Sequence, residues 1–326
     1  MQSRTIDVPK EIPKRSVMQY VYAEAQKLEK RFRCGMAEDD RTTFEQYAES
    51  WLKRQTHYKP STLAGYQREL KIVYPFIGGI ALNKLRPLIL EEMCAELRKR
   101  KKRNGEPVCE ATVRKYLQTV SAVLEDAKRN DILLYNPAHR VRGIRVERKV
   151  QPIPSEFEMR KLLQCILQEP LLYRVFYLTA IATGMRRGEL LALRWDDLDF
   201  ATGTLRIDRQ ICPVGGKLIV SEPKTKAANR TIILPPAMLE VLAEYKKGIF
   251  SDLMFPSRIK PDQPIDPGYV RKRLQIILKR AGCKPVRFHD LRHTFATMSL
   301  ENGMDVKTLS AIIGHVSSAT TLNTYT

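Results

Sequence analysis

No stretch of this 326-residue chain is long and apolar enough to cross a bilayer as a helix. The longest apolar run, VFYLTAIATGM, is closed by Arg174 on one side and Arg186 on the other. The N-terminal MQSRTIDVPKEIPKRS has no apolar signal region, so a cytoplasmic protein is expected. No two of the six cysteines (Cys34, Cys94, Cys109, Cys165, Cys212 and Cys283) form a CxxC pair, which argues for reduced thiols and against a disulfide framework. A P-loop is missing, and with it any sign of nucleotide hydrolysis. Acidic residues are scarce as well: 36 Asp and Glu stand against 56 Lys and Arg, a net charge of +20.

That excess is spread along the chain. Residues 1–150 carry 31 basic and 19 acidic side chains, and the remainder carries 25 and 17. A basic tail alone would not give two basic halves. Binding to a polyanion along the whole chain, driven by counterion release, is the physical reading, with a merely basic or ribosome-associated protein as the alternative.

Helical periodicity sets the organisation. Residues 1–42 form a polar N-terminal extension with one expected helix around SVMQYVYAEAQKLEKRF and no assigned role. In TFEQYAESWLKRQ, an N-cap precedes Phe44, Tyr47, Ala48, Trp51 and Leu52 at helical spacing. KPSTLAGYQRELKIVYPFIG follows, with Ser61 or Thr62 as the cap and a stop at Gly78-Gly79. LRPLILEEMCAELRKRKKR and CEATVRKYLQTVSAVLEDAKRNDIL complete a small helical domain at 43–132. The basic run Arg98, Lys99, Arg100, Lys101, Lys102 and Arg103 could grip phosphates or could be a solvated helix end. Residues 133–154, with three prolines and many charges, read as a basic linker. The domain at 155–326 is expected to be mostly helical. Three short strands over TGTLRIDRQICPVGGKLIVSEPKTKAANRTIILP would form one small antiparallel sheet.

HDLRH places His289 and His293 four residues apart on one helical face, the spacing of HExxH zinc helices. Those helices use a glutamate as general base, whereas Asp290 stands here, and a third ligand would be needed. Three further words carry polar groups. TGMRRGELLALRW holds Arg186 and Glu189, which alone would be an ordinary helix pair. PKTKAANR holds Lys224 in a loop between strands, and IIGHVSSATTLNTYT holds His315 and Tyr325.

In this order and with these flanks, the four words resemble the tyrosine recombinase (phage integrase) family over about residues 44–326. The tail TTLNTY looks most like integrases of phages and conjugative transposons. The resemblance implies a mostly α fold with a small antiparallel β-sheet: a helical core-binding domain and an α+β catalytic domain that clamp DNA. It gives the catalytic set as Arg186, Lys224, His289, Arg292, His315 and Tyr325, supported by Glu189 and His293, with no metal and no cofactor. The implied reaction is transesterification. Tyr325 attacks the scissile phosphate, giving a 3′-phosphotyrosyl link and a free 5′-hydroxyl, and a partner strand's 5′-hydroxyl reverses the step, so no ATP is required. Arg186 and Arg292 would hold the non-bridging oxygens. Lys224 would protonate the leaving oxygen, His289 would help take the tyrosine proton, and His315 would donate to a phosphate oxygen. Glu189 would orient its neighbours, and His293 would be chiefly structural. Arg187, Lys226 and Arg230 are candidate phosphate contacts, or solvated charges.

The implied partners are double-stranded attachment or core sites, a homotetramer on synapsed DNA and a DNA-bending accessory protein. No membrane is expected, and the expected location is the bacterial cytoplasm, in association with the nucleoid. The chain ends at Thr326, one residue after Tyr325, whereas family members usually continue into a tail that packs on a neighbouring subunit, so a truncated product is expected. The N-terminus looks too short for a separate arm-site domain. Three rivals follow: a relaxing topoisomerase-like enzyme, a dimer-resolution recombinase, and a catalytically inactive DNA-binding member of the fold.

Overall fold

Thr43 starts the first well-packed helix by bonding backbone in both directions. Its hydroxyl accepts from Gln46 N at 3.3 Å while its own N–H donates to Gln46 Oε1 at 3.0 Å, a complete capping box. The computed structural model describes residues 6, 8–9, 12–13, 16–33, 41–102, 105–146, 154–222, 228–314, 319 and 321–322. The chain divides into two units, 1–148 and 149–326.

In the first unit, α1 (Val17–Arg33) precedes α2 (Phe44–Arg54), α3 (Pro60–Ile77), α4 (Pro87–Lys99) and α5 (Glu110–Arg129). Phe44, Trp51, Leu70, Leu90, Leu97 and Leu124 are buried in one core. Neither Ser61 nor Thr62 caps α3. Lys59 is the N-cap and Pro60 occupies the first turn, where its fixed φ suits a helix and its missing N–H is no loss. Two carboxyl groups, partly exposed Asp126 and buried Glu69, tie the helices together. Asp126 accepts from Tyr47 Oη at 2.8 Å and Arg54 at 2.9 Å, and Glu69 accepts from Thr119 at 2.6 Å. The segment after α5 also belongs to this core. Asn136 caps a short turn by accepting from Ala138 N, and Leu133 and Ala138 are buried, so packing continues past residue 132 into the expected linker.

The second unit holds α6 (Glu156–Leu167), α7 (Leu171–Thr183), α8 (Arg187–Ala192), α9 (Pro236–Lys246), α10 (Pro267–Arg280), α11 (Phe288–Glu301) and α12 (Val306–Ile313). Among the described residues, five short strands lie between α8 and α9: β1 (Leu198–Asp199), β2 (Thr204–Ile207), β3 (Gln210–Val214), β4 (Lys217–Ser221) and β5 (Arg230–Ile233). They form two antiparallel sheets where one of three strands was expected. One sheet has the order β1-β2-β5, with Leu205 opposite Ile232; the other is the β3–β4 hairpin. The chain leaves the first sheet at Asp208-Arg209, where Arg209 is held by Asp197 at 3.1 Å. The hairpin packs on α8 instead. Gly188 permits that approach, since a Cβ there would lie 2.7 Å from the Ile211 carbonyl oxygen.

Aromatic rings of α7, Phe176 and Tyr177, centre the second core against Phe255 and Phe288, and Tyr177 donates to the Val270 carbonyl at 2.6 Å. Glu169, 2% exposed, receives Arg273 at 2.6 Å and Arg280 at 2.7 Å and so pins α10 to the α6–α7 junction. Among the described residues no helix is long and apolar enough to cross a membrane.

Candidate active site

α7 stops at Gly184, whose φ of +59° is left-handed, and any Cβ there would enter the Phe295 ring. The stop turns the chain so that Arg186 becomes the N-cap of α8, with Glu189 at the third helical position. Glu189 accepts three bonds: from Arg186 N at 3.0 Å, from an Arg186 guanidinium nitrogen at 2.7 Å and from Arg230 at 2.9 Å. Its carboxylate is 0% exposed, and Arg230 is only 6% exposed. Burial pushes the Glu189 carboxyl upward, but Arg230 and then Arg186 outweigh it and hold the group below the ordinary carboxylate range. The carboxylate is therefore charged at neutral pH.

Asp290 sits where a zinc helix of the HExxH type would carry its glutamate. Here it serves the backbone, accepting from Arg287 N at 2.6 Å to start α11. Two residues on, Arg292 is 2% exposed and donates to the carbonyls of Gly184, at 3.0 Å, and Ile313. The His289 and His293 rings meet edge to face at 4.9 Å. The His289 side chain still reaches solvent. Partial desolvation, followed by His293, Arg292 and Arg186, nonetheless lowers its pKa to about 4, so the imidazole is neutral at pH 7. His293 is lowered too, by desolvation, with Asp290 opposing.

α12 supplies the third wall. It ends at Gly314, left-handed at φ +66°, which leaves its last carbonyls without helical partners. Three successive carbonyls each take an arginine. Ile312 O accepts from Arg230 at 2.5 Å, Ile313 O from Arg292, and Gly314 O from Arg186 at 3.2 Å. The negative end of the helix dipole favours this triple contact. Arg186 keeps 35% of its side chain exposed.

Arg186, Glu189, His289, Arg292 and His293 thus share one neighbourhood, and Arg230 joins them. Lys224, Lys226, His315, Tyr325 and Arg103 lie outside the described residues. Arg187 turns away, donating to the Pro267 carbonyl at 3.1 Å. Of the basic run, Arg98 pairs with Glu110 at 2.7 Å, Lys99 with Glu96 at 2.5 Å and Lys102 with Glu106 at 3.4 Å. Arg100 reaches the Ile72 carbonyl at 3.5 Å, and Lys101 forms an isolated bridge with Pro107. Much of that run is therefore held by nearby protein groups. Sequence reasoning did not find the carbonyl row at 312–314, because a backbone acceptor has no residue type to read.

Residues 155–326 match the model of the phage integrase family, and residues 43–97 match the phage integrase N-terminal SAM-like domain. The chain belongs to the phage integrase family. This integrase is accordingly a site-specific tyrosine recombinase, of an enzyme class that exchanges DNA strands. It is 26% identical over 270 residues to the ICEBs1 integrase of Bacillus subtilis, covering 80% of this chain and 73% of that one. The integrase of Mycobacterium phage L5 is 25% identical over 286 residues, covering 84% and 72%. In fold the chain is similar to the Tn1549 transposon integrase, solved in complex with a circular intermediate DNA. That similarity has a TM-score of 0.75 at 21% identity, over 87% of this chain and 95% of that one. A lambda integrase tetramer solved on a Holliday junction matches with a TM-score of 0.68 at 18% identity, over 96% and 87%.

Proposed function

We propose that this integrase inserts and excises a mobile element by cleaving and rejoining attachment-site DNA through a 3′-phosphotyrosyl intermediate. Arg186 and Arg292 hold the non-bridging oxygens of the scissile phosphate, where negative charge grows in the transition state. Neutral His289 accepts the proton of Tyr325 as it attacks, Lys224 protonates the departing 5′-oxygen, and His315 donates to a phosphate oxygen. Glu189 orients Arg186, and His293 packs against His289. The observation that carries the reading is the convergence of the two guanidiniums: Arg292 and Arg186 bond the adjacent carbonyls of Ile313 and Gly314, one residue before His315.

In this reading residues 43–132 bind core-type DNA, 133–154 link, and 155–326 catalyse. A homotetramer assembles on two synapsed sites with a DNA-bending accessory protein. Mobile-element integration is favoured over dimer resolution by the relatives, integrases of ICEBs1 and of phage L5.

Covalent trapping tests the proposal. Incubated without metal, the protein should form an adduct with nicked DNA from the ends of its element, and the adduct should survive denaturation and map to Tyr325. Tyr325→Phe should abolish the adduct and leave salt-sensitive DNA binding intact. An adduct on another residue, or none despite tight binding, would refute the assignment.

A further inference from the structure

Glu189 is a single buried carboxylate with two cationic partners. A one-to-one pair of Glu189 with Arg186 would be neutral. A phosphate arriving at Arg186 would then meet a guanidinium whose charge was already matched, in a place where burial limits screening. Arg230 changes that balance by occupying the same carboxylate at 2.9 Å, which leaves the trio with a net positive charge. Arg230 is badly placed to bind DNA itself. Its three guanidinium nitrogens donate to Ile312 O at 2.5 Å, Ala228 O at 3.1 Å and Glu189. With all three nitrogens engaged by protein acceptors, the candidate role of direct phosphate contact gives way to an indirect one.

We infer that Arg230 is a positioning residue of strand exchange: it neutralises Glu189 so that Arg186 keeps its charge for the scissile phosphate, and it fixes the end of α12 against the same cluster. This rests on the reading of Arg186 as a phosphate clamp. Arg230 opens β5, so the strand that resumes after residues 223–227 is tied to both α8 and α12 through one side chain.

The test compares single-turnover cleavage of two nicked duplexes, one with the ordinary scissile phosphate and one with a methylphosphonate there. The methyl group replaces an anionic oxygen, so the neutral linkage needs less positive charge. Arg230→Gln should slow cleavage of the phosphate by ~10- to 100-fold, and of the methylphosphonate by only about threefold. Arg230→Lys keeps the charge beside Glu189 and should recover most of the rate on the phosphate. An equal penalty on both substrates, or a folded Lys variant as slow as the Gln variant, would overturn the inference and leave Arg230 a packing residue. Should Arg230→Gln fail to fold, the rate of Arg230→Lys on the phosphate decides alone. Arg186→Gln is the control for the underlying reading, and its own penalty must shrink on the methylphosphonate. If it does not, the phosphate-clamp reading fails. If it does while Arg230→Gln shows equal penalties, only the Arg230 inference fails.

Discussion

Glu189→Gln removes one charge from the middle of the arginine cluster and keeps the shape. The wild-type carboxylate accepts from Arg186 N at 3.0 Å, from the Arg186 guanidinium at 2.7 Å and from Arg230 at 2.9 Å. Gln retains one acceptor oxygen but presents an amide donor on the other side, so one guanidinium faces a donor. Two cations are then left close together without their counterion. Removing one partner of a buried pair costs about 3–5 kcal/mol. Arg186, 35% exposed, regains some hydration, so a loss of about 2–4 kcal/mol is expected for the catalytic unit. At roughly 2–4 °C per kcal/mol for a unit of this size, its Tm should fall by about 4–16 °C. Cleavage should slow by ~10²-fold, because a clamp displaced by an ångström loses about that much.

The assay is calorimetry of the full chain as a function of pH, beside adduct formation at a temperature where both forms are folded. The sign follows from the lowered Glu189 pKa: burial raises it, but Arg230 and Arg186 together pull it lower. A depressed carboxylate contributes stability that is present above its unfolded pKa, about 4.3, and is lost as pH falls through the folded value. The gap between wild type and variant should therefore be level from pH 6 to 7 and close below about pH 4.3. A variant that melts with the wild type at pH 7, or a gap that persists undiminished to pH 3, would refute the idea that a charged Glu189 anchors the site.

With a folded pKa of about 4 against about 6.5 unfolded, His289 is protonated in the unfolded chain before the folded one, so stability should fall as pH drops through that window. His289→Asn should flatten that slope, and wild-type cleavage should keep a neutral base down to about pH 5; an acid limb near 6.5 would contradict this. Glu169→Gln leaves Arg273 and Arg280 facing an amide at a buried position, and should cost about 2–4 kcal/mol in the catalytic unit by denaturant titration, with little change predicted in the helical unit's transition. Gly188→Ala would press a methyl against the Ile211 carbonyl, 2.7 Å away, and should cost about 1–3 kcal/mol while speeding amide exchange in the β3–β4 hairpin; unchanged exchange would show that α8 does not hold the hairpin.

Where a side chain's chemistry names its job, the sequence was readable. Arg186, Glu189, His289 and Arg292 stood out as words with fixed spacing, and the structure gathers them. The helices of the first unit were legible from Phe44, Tyr47, Ala48 and Trp51, which are buried at the spacing that marked them. The α3 cap was misread because Ser61 and Thr62 are good capping residues in general, while Pro60 fits one turn earlier for a backbone reason. The split into two sheets was hidden because alternation identifies strands but not partners, and the pairing of β2 with β5 skips the hairpin between them. Arg230 read as a phosphate contact or a solvated charge, since nothing local shows that a distant carboxylate and a helix end will enclose it.

The Gly-His word shows how one motif can hold two kinds of information. Read as sequence, it measures the distance to Tyr325. In the structure, Gly314 has a separate task, ending α12 in a left-handed turn so that its last carbonyls point at guanidiniums. Three carbonyls in a row meet Arg230, Arg292 and Arg186, which come from β5, α11 and the start of α8. A helix end is suited to this, because it offers several acceptors at fixed spacing together with the negative pole of its dipole. The arginines are thereby held in register with one another. Gly314 thus serves the geometry of the arginine clamp as well as the turn.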